Sequence, residues 1–315
     1  MGVDAAVPTV AQSQGTGGWR LVFATGVAPA VWGTTYLVTT EYLPPDRPLL
    51  ASVIRALPAG LALTAMAGAL PRGTWWWRAA VLGTLNIGAF FPLLFYAAYH
   101  LPGGVAAIVG ALGPFVVAAL AYPILGQVPT ARILLAAAAG VGGVALLVLR
   151  SAVALDGYGL VAMVVATVAM AAGTVLGRRW GLPSVTRGTA LVALTGWQLT
   201  IGGVLLVPLT LVIEGVPDAM SPRNLAGFAY LGLVNSMLAY LLWFRGVTRM
   251  APSRASILVL LSPVVATVLG WVVLGEALTG WQLVGVVLVL GSVTIGAMSE
   301  PETRQDTVPD GSTPE

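Results

Sequence analysis

The sequence contains no cysteine, no lysine and a single histidine, and charged residues make up only 9% of its 315 residues. The absence of cysteine excludes disulfide frameworks, thiolate catalysis and cysteine-ligated metal sites. Soluble domains carry a charge on roughly a quarter of their residues. Because this chain has too few charges to cover a water-facing surface, we expect most of its surface to face lipid.

Long apolar segments fill most of the chain. Hydrophobic residues make up 57% of it, and the mean hydropathy is +0.90. Apolar runs of about 20 residues fit membrane-spanning helices, whereas barrel strands are about half as long and alternate. The sequence therefore predicts an all-α membrane protein with about ten transmembrane helices. The predicted spans are approximately 19–39, 48–70, 77–99, 104–126, 130–149, 157–177, 190–213, 225–247, 252–274 and 279–298.

The distribution of arginine predicts the orientation of these spans. With a cytoplasmic N-terminus, eleven arginines fall inside and three outside, which follows the positive-inside rule. We therefore expect a multi-pass protein of the bacterial inner membrane, with the lipid bilayer as its partner and both termini cytoplasmic. Residues 1–18 are predicted to form a disordered leader, and residues 300–315 a disordered acidic tail.

An internal repeat relates the two halves of the chain. A shift of 149 residues places Asn86 on Asn235 and Pro114 on Pro263, with further matches between them. The first repeat spans residues 19–150 and the second spans residues 151–299. Because each repeat holds five spans, the second copy enters the membrane from the opposite side. An inverted repeat of this kind is the geometry of alternating access.

Several short motifs resemble those of the EamA family, in the drug/metabolite transporter superfamily. They are Trp32-Gly33-Thr34-Thr35, Arg55, Ser262-Pro263-Val264 and Leu274-Gly275-Glu276-Ala277-Leu278-Thr279. The resemblance covers nearly the whole chain, in both repeats. It implies ten helices, cytoplasmic termini and the export or facilitated transport of amino acids and related metabolites.

Asn86 and Asn235 are candidate substrate-binding residues because both are predicted near the middle of the bilayer. Asn86 lies about nine residues from one end of its span, or about 13 Å along a helix. Matched amides at this depth could line a site between the repeats. They could equally join neighbouring helices, since asparagine also bridges helices in lipid.

Arg55 and a set of aromatic residues complete the predicted substrate site. Arg55 is charged and lies within a span, where a charge costs about 2.5–3.5 kcal/mol. It could bind a substrate carboxylate, or it could extend to the membrane surface. The aromatic candidates share helix faces with the polar ones and are Trp32, Tyr36, Phe90, Tyr240 and Trp243. They could form a wall around an amphipathic solute, or they could simply pack or face lipid.

Two prolines within spans are candidate helix breaks or gate elements. Pro114 and Pro263 each remove one backbone donor, which frees the carbonyl groups of Gly110 and Val259. A freed carbonyl could accept a hydrogen bond from a substrate amine. The alternative is a kink that shapes the bundle.

These observations favour a transporter of small-molecule solutes, namely amino acids or similar amphipathic metabolites. A multidrug or toxic-compound exporter is the alternative. A membrane-embedded enzyme fits less well, because the sequence offers no catalytic pairs. A receptor fits less well, because it would not explain the inverted repeat or the paired polar residues at mid-depth. No catalytic residue, cofactor, metal site or nucleic-acid partner is expected, and the oligomeric state is left open.

Overall fold

The computed structural model describes residues 17–44, 47–100, 109–148, 156–185, 189–216, 220–250, 252–274 and 279–298. This part of the chain is helical and contains no β-strand. Seven of its helical stretches are long and apolar enough to cross a membrane, and three shorter apolar helices accompany them. The predicted all-α class is therefore confirmed, whereas the number of ten spans stays a prediction.

The helices are numbered here in chain order. In the first half they are α1 (Gly17–Trp32), α2 (Thr35–Tyr42), α3 (Pro48–Ala67), α4 (Trp75–Gly83), α5 (Phe90–His100), α6 (Gly113–Leu125) and α7 (Ala131–Val148). In the second half they are α8 (Gly157–Trp180), α9 (Ala190–Ile213), α10 (Pro222–Tyr230), α11 (Ala239–Val247), α12 (Pro252–Ile257), α13 (Leu261–Leu274) and α14 (Gly280–Met298). The predicted leader lies outside the described residues except at Gly17 and Gly18, where α1 begins, and the predicted tail lies outside them entirely.

Two π-helical segments interrupt the α-helices at related places. The segment π1 (Thr84–Ala89) joins α4 to α5, and π2 (Leu231–Leu238) joins α10 to α11. When π1 is shifted by 149 residues it falls within π2. Each segment contains one of the two asparagines, so both candidate amides lie where the helix is locally widened, a feature that is common at functional sites.

Helices α3 and α9 pack closely because glycine brings their backbones together. A Cβ atom added at Gly60 would lie 2.4 Å from the backbone nitrogen of Thr200, and one added at Gly196 would lie 2.6 Å from that of Thr64. Any larger residue at these positions would clash with backbone. The residue numbers fall along α9 as they rise along α3, so the two helices run antiparallel.

Helices α7 and α14 show the same kind of contact. A Cβ atom added at Gly143 would lie 2.8 Å from the carbonyl oxygen of Gly285, and one added at Gly140 would lie 2.7 Å from Oγ of Ser292. These two helices are also antiparallel. Both pairs join a helix of the first half to its counterpart in the second half, so small residues fix the packing between the halves.

Candidate functional site

A break between α1 and α2 begins the first of two buried polar clusters. The amide nitrogen and the hydroxyl group of Thr34 both donate to the carbonyl oxygen of Val31, at 3.0 and 2.7 Å. Gly33 is required at the break because a Cβ atom there would lie 2.5 Å from the carbonyl oxygen of Ser262 in α13. The break leaves the Val31 carbonyl able to accept a third hydrogen bond, from Nδ2 of Asn235, at 3.0 Å.

The side chain of Asn235 is held by residues on either side of this break. The indole Nε1 of Trp32 donates to the backbone carbonyl oxygen of Asn235 at 3.0 Å. The hydroxyl oxygen of Thr35 lies 3.1 Å from Nδ2 of Asn235 and 3.3 Å from its Oδ1. The Trp-Gly-Thr-Thr motif therefore positions Asn235 through two of its residues, Trp32 and Thr35, while its glycine allows α13 to approach.

Arg55 of α3 completes the first cluster. Its Nη2 donates to Oδ1 of Asn235, and its Nε donates to Oγ of Ser236 at 3.1 Å. The guanidinium carbon lies 4.4 Å from the ring centre of Phe91. Only 3% of Arg55 is exposed, so the guanidinium points into the bundle rather than toward the membrane surface. Neutral oxygens and an aromatic face surround the charge, and Nη1 has no hydrogen-bond partner among the described residues.

Aromatic rings enclose the cluster on the side of α11. The ring centre of Trp32 lies 5.2 Å from that of Tyr240 and 5.3 Å from that of Trp243. Tyr240 also contacts Phe91, with ring centres 6.0 Å apart. The indole Nε1 of Trp243 is buried and has no partner in the described part of the chain. The first cluster therefore holds two buried donors that nothing in the described structure satisfies.

The second cluster surrounds Asn86 and is neutral. Nδ2 of Asn86 donates to Oε1 of Gln198 at 2.7 Å, and Nε2 of Gln198 donates to the carbonyl oxygen of Leu194 at 3.3 Å. Helix α8 approaches at Gly173, where an added Cβ atom would lie only 2.0 Å from Oδ1 of Asn86. That oxygen is buried and accepts no hydrogen bond from the described residues. This cluster therefore has an unused acceptor where the first has unused donors.

The two clusters link the halves of the chain in a reciprocal way. Asn235 of the second half binds Arg55 of the first, and Asn86 of the first half binds Gln198 of the second. Arg55 and Gln198 lie on α3 and α9, the two helices that pack against each other between the halves. Phe91 and Tyr240, which contact each other, are themselves related by the shift of 149 residues.

The structure brings most of the predicted site residues together. Trp32, Arg55, Asn235, Tyr240 and Trp243 meet in the first cluster, whereas Asn86 lies in the second. Their roles in binding a substrate stay predictions.

The remaining candidates lie elsewhere or cannot be described. The ring of Phe90 is half-buried and contacts Phe91, with ring centres 6.0 Å apart. The side chain of Tyr36 lies outside the described residues. Pro114 is the second residue of α6, just after a turn at Leu112, and Pro263 follows a short 3-10 segment that ends at Leu260. Both prolines stand at helix irregularities, and their role as a gate is untested.

Three contacts were not predicted from the sequence, namely those of Thr35, Phe91 and Ser236 with the first cluster. Phe91 was missed because regular α-helical spacing places the residue four positions after Asn86, Phe90, on the same face. In a π-helix the backbone hydrogen bonds span five residues, and Phe91 lies five positions after Asn86. Tyr240 likewise lies five positions after Asn235. Recognising a π-helical segment in the sequence would have pointed to Phe91.

Comparison with known proteins gives a consistent picture. The model of the EamA-like transporter family matches the chain twice, over residues 19–149 and 157–297. Protein PecM of Dickeya dadantii is 47% identical over 268 residues, which cover 85% of this chain and 89% of PecM. An uncharacterized inner membrane transporter of Escherichia coli K12, YedA, is 26% identical over 82% of this chain and 85% of its own length. A solved crystal structure with 17% identity superposes with a TM-score of 0.72, covering 88% of this chain and 97% of that one, which supports the fold alone.

Proposed function

The chain belongs to the EamA-like transporter family, and from this premise we propose that it carries small amphipathic solutes across the bacterial inner membrane. Amino acids and related metabolites are the proposed substrates, and alternating access between inverted repeats is the proposed mechanism. Family membership, first indicated by the short sequence motifs, is confirmed by the double family match. The chain is a multi-pass membrane protein similar to inner membrane transporters.

The packing between the halves supports the inverted arrangement. Helices related by the repeat, α3 with α9 and α7 with α14, run antiparallel, as expected of copies that enter the membrane from opposite sides. The family match also divides the chain into two segments of similar length. Two such halves could exchange conformations and so open the bundle first to one side and then to the other.

The single observation that carries the substrate proposal is the buried guanidinium of Arg55. Among the described residues its Nη1 has no hydrogen-bond partner, and neither has Nε1 of Trp243 in the same cluster. A buried charge without a counter-charge is costly in a membrane. A substrate carboxylate would accept from such donors through charge-assisted hydrogen bonds, and the rings of Trp32 and Tyr240 would contact its apolar part.

A multidrug or toxic-compound exporter is the second candidate. The aromatic rings around Asn235 favour it, because they could stack on a cationic drug. The positive charge of Arg55 disfavours it, since a cation would be repelled in the same cluster. The two candidates therefore differ in the sign of charge that the substrate brings to Arg55.

A flux assay in liposomes tests the proposal. The purified protein would be reconstituted and offered a panel of radiolabelled amino acids, neutral amphipathic metabolites and cationic dyes. We expect carboxylate-bearing solutes to be transported, and both Arg55→Gln and Asn235→Ala to lower that flux roughly tenfold or more, since a hydrogen bond to a charged group contributes about 1.5–3 kcal/mol. Arg223→Gln, which alters an exposed arginine, should leave the flux unchanged.

Two results would contradict parts of this proposal. Transport of cationic dyes without transport of any carboxylate would favour the multidrug exporter. Normal flux in both cluster variants would remove the site assignment while leaving the transport function standing. The proposed cytoplasmic position of both termini is tested separately, by fusing a reporter that is active only in the cytoplasm to the C-terminus.

A further inference from the structure

A cluster of tryptophans surrounds one arginine at the beginning of α4. The guanidinium carbon of Arg78 lies 5.4 Å from the ring centre of Trp75 and 5.8 Å from those of Trp77 and Trp180. The rings of Trp77 and Trp180 meet edge to face, with centres 4.9 Å apart. Residues from α4 and from the end of α8 therefore build a cage with an arginine at its centre, which we call the Arg78 cage.

No carboxylate of the described residues pairs with the arginine of the Arg78 cage. Nε of Arg78 is buried and lacks a hydrogen-bond partner among the described residues. The salt bridge found within those residues joins Arg223 to Glu41 instead. Next to Trp180 along the chain, Arg178 and Arg179 donate to the backbone carbonyls of Thr248 and Ile124 rather than to carboxylates. Among the described residues, positive charge thus accumulates at this end of the bundle without an acidic partner, and a bound anion would neutralise it.

The position of the Arg78 cage identifies the source of that anion. The cage stands at the first residues of an apolar stretch, Trp75–Ala97, that is long enough to cross a membrane. Trp76 and Trp77 are 55% and 50% exposed. Exposed tryptophans at the end of a span lie at the level of the lipid headgroups. The anions that are concentrated at this level are the phosphates of the lipids themselves.

We propose that the Arg78 cage binds the phosphate group of an anionic phospholipid. Arginine forms short, charge-assisted hydrogen bonds with phosphate oxygens. The tryptophan rings orient the guanidinium by cation–π contact and present flat apolar surfaces to the glycerol and acyl parts of the lipid. This site is separate from the first cluster, which contains Arg55, and does not depend on which solute is carried.

Native mass spectrometry of the full chain tests the proposal. The protein in a neutral detergent would be titrated with dioleoylphosphatidylglycerol and, separately, with dioleoylphosphatidylcholine. We expect the anionic lipid to bind more tightly, and Arg78→Gln to weaken its binding about fivefold to tenfold, since one basic side chain near a lipid surface contributes that much. Arg223→Gln is the matched control, because Arg223 also lies over an aromatic ring, that of Tyr42, but is paired with Glu41. Its affinity for the anionic lipid should match that of the parent protein.

Two outcomes of the titration would contradict the proposal. Equal binding of both lipids would show that the negative charge is not recognised. Displacement of the lipid by an equal concentration of inorganic phosphate would assign the site to a soluble anion. If Arg78→Gln does not fold, as judged by gel filtration and circular dichroism, Trp77→Phe decides. A severalfold weaker affinity in that variant supports the cage, and an unchanged affinity overturns it.

Discussion

The two polar clusters occupy corresponding places in the two halves, but only one of them is charged. Each is built on an asparagine in a π-helical segment and on a polar residue from the helix of the other half that packs against it. In one cluster that polar residue is Arg55, and in the other it is Gln198. The same backbone arrangement therefore supports two different chemistries. Within the part of the chain that the structure describes, the first cluster has unpaired donors and the second has an unpaired acceptor.

The largest expected difference concerns the two asparagines. Asn235→Ala removes a hydrogen-bond acceptor of the buried Arg55, and because the donor is charged this loss costs about 3 kcal/mol or more. Asn86→Ala breaks one hydrogen bond between neutral amides, which costs about 1–3 kcal/mol. The free energy of unfolding, measured in mixed micelles of dodecyl maltoside and sodium dodecyl sulfate, should fall more for Asn235→Ala. Equal losses would mean that the charge is stabilised by something other than Asn235.

A second substitution tests the packing of the neutral cluster alone. Gly173→Ala places a methyl group against Oδ1 and Cγ of Asn86, at 2.0 and 2.6 Å before any relaxation, and overpacking of this kind costs about 1–3 kcal/mol. Gly142→Ala is the control, because its added Cβ atom meets nothing within 4 Å. The same unfolding measurement should show a loss only for Gly173→Ala.

Combining Gly173→Ala with Asn86→Ala tests whether the loss comes from contact with Asn86. When the asparagine is already truncated, the clash disappears and Gly173→Ala should cost little. The two substitutions are then non-additive, as expected for residues in direct contact. Additive losses would place the effect of Gly173→Ala somewhere other than at Asn86.

A smaller effect is expected for Glu214, which caps the first turn of α3, the helix that carries Arg55. Both carboxylate oxygens of Glu214 accept hydrogen bonds from the first turn of α3, from the amide nitrogens of Leu49 at 2.6 Å and Leu50 at 2.8 Å. Glu214→Gln removes the negative charge at this helix N-terminus and should lower the free energy of unfolding by about 1 kcal/mol. A loss as large as that of Asn235→Ala would show that the end of α3, rather than Asn235, holds Arg55 in place.

The smallest effect is expected for an arginine outside the bundle. Arg223 and Glu41 form an exposed ion pair at 3.0 Å, with side chains 60% and 45% exposed. Because solvent screens such pairs, Arg223→Gln should change the free energy of unfolding by less than about 0.5 kcal/mol. High salt should reduce even this difference. A loss of several kcal/mol would remove the contrast between buried and exposed arginine.

The sequence alone was sufficient for the class of fold, whereas the predicted depth of the two asparagines in the bilayer stays a prediction. Runs of apolar residues predict helices, and the burial of Asn86 and Asn235 agrees with their expected position within the bundle. Their partners could not be predicted, because the pairing of Arg55 with Asn235 depends on contacts between helices that lie far apart in the chain. Phe91 was also out of reach, since the π-helical segment changes the spacing that relates residues on one face.

The glycine contact between α3 and α9 has a consequence for how the protein can be assembled. The halves meet there through non-covalent backbone packing at Gly60 and Gly196, which does not require a covalent connection between them. A gene divided in the connection between α7 and α8 should therefore yield two polypeptides that recombine in the bilayer into a working whole. A bulky residue in place of Gly60 or Gly196 should prevent the two polypeptides from assembling.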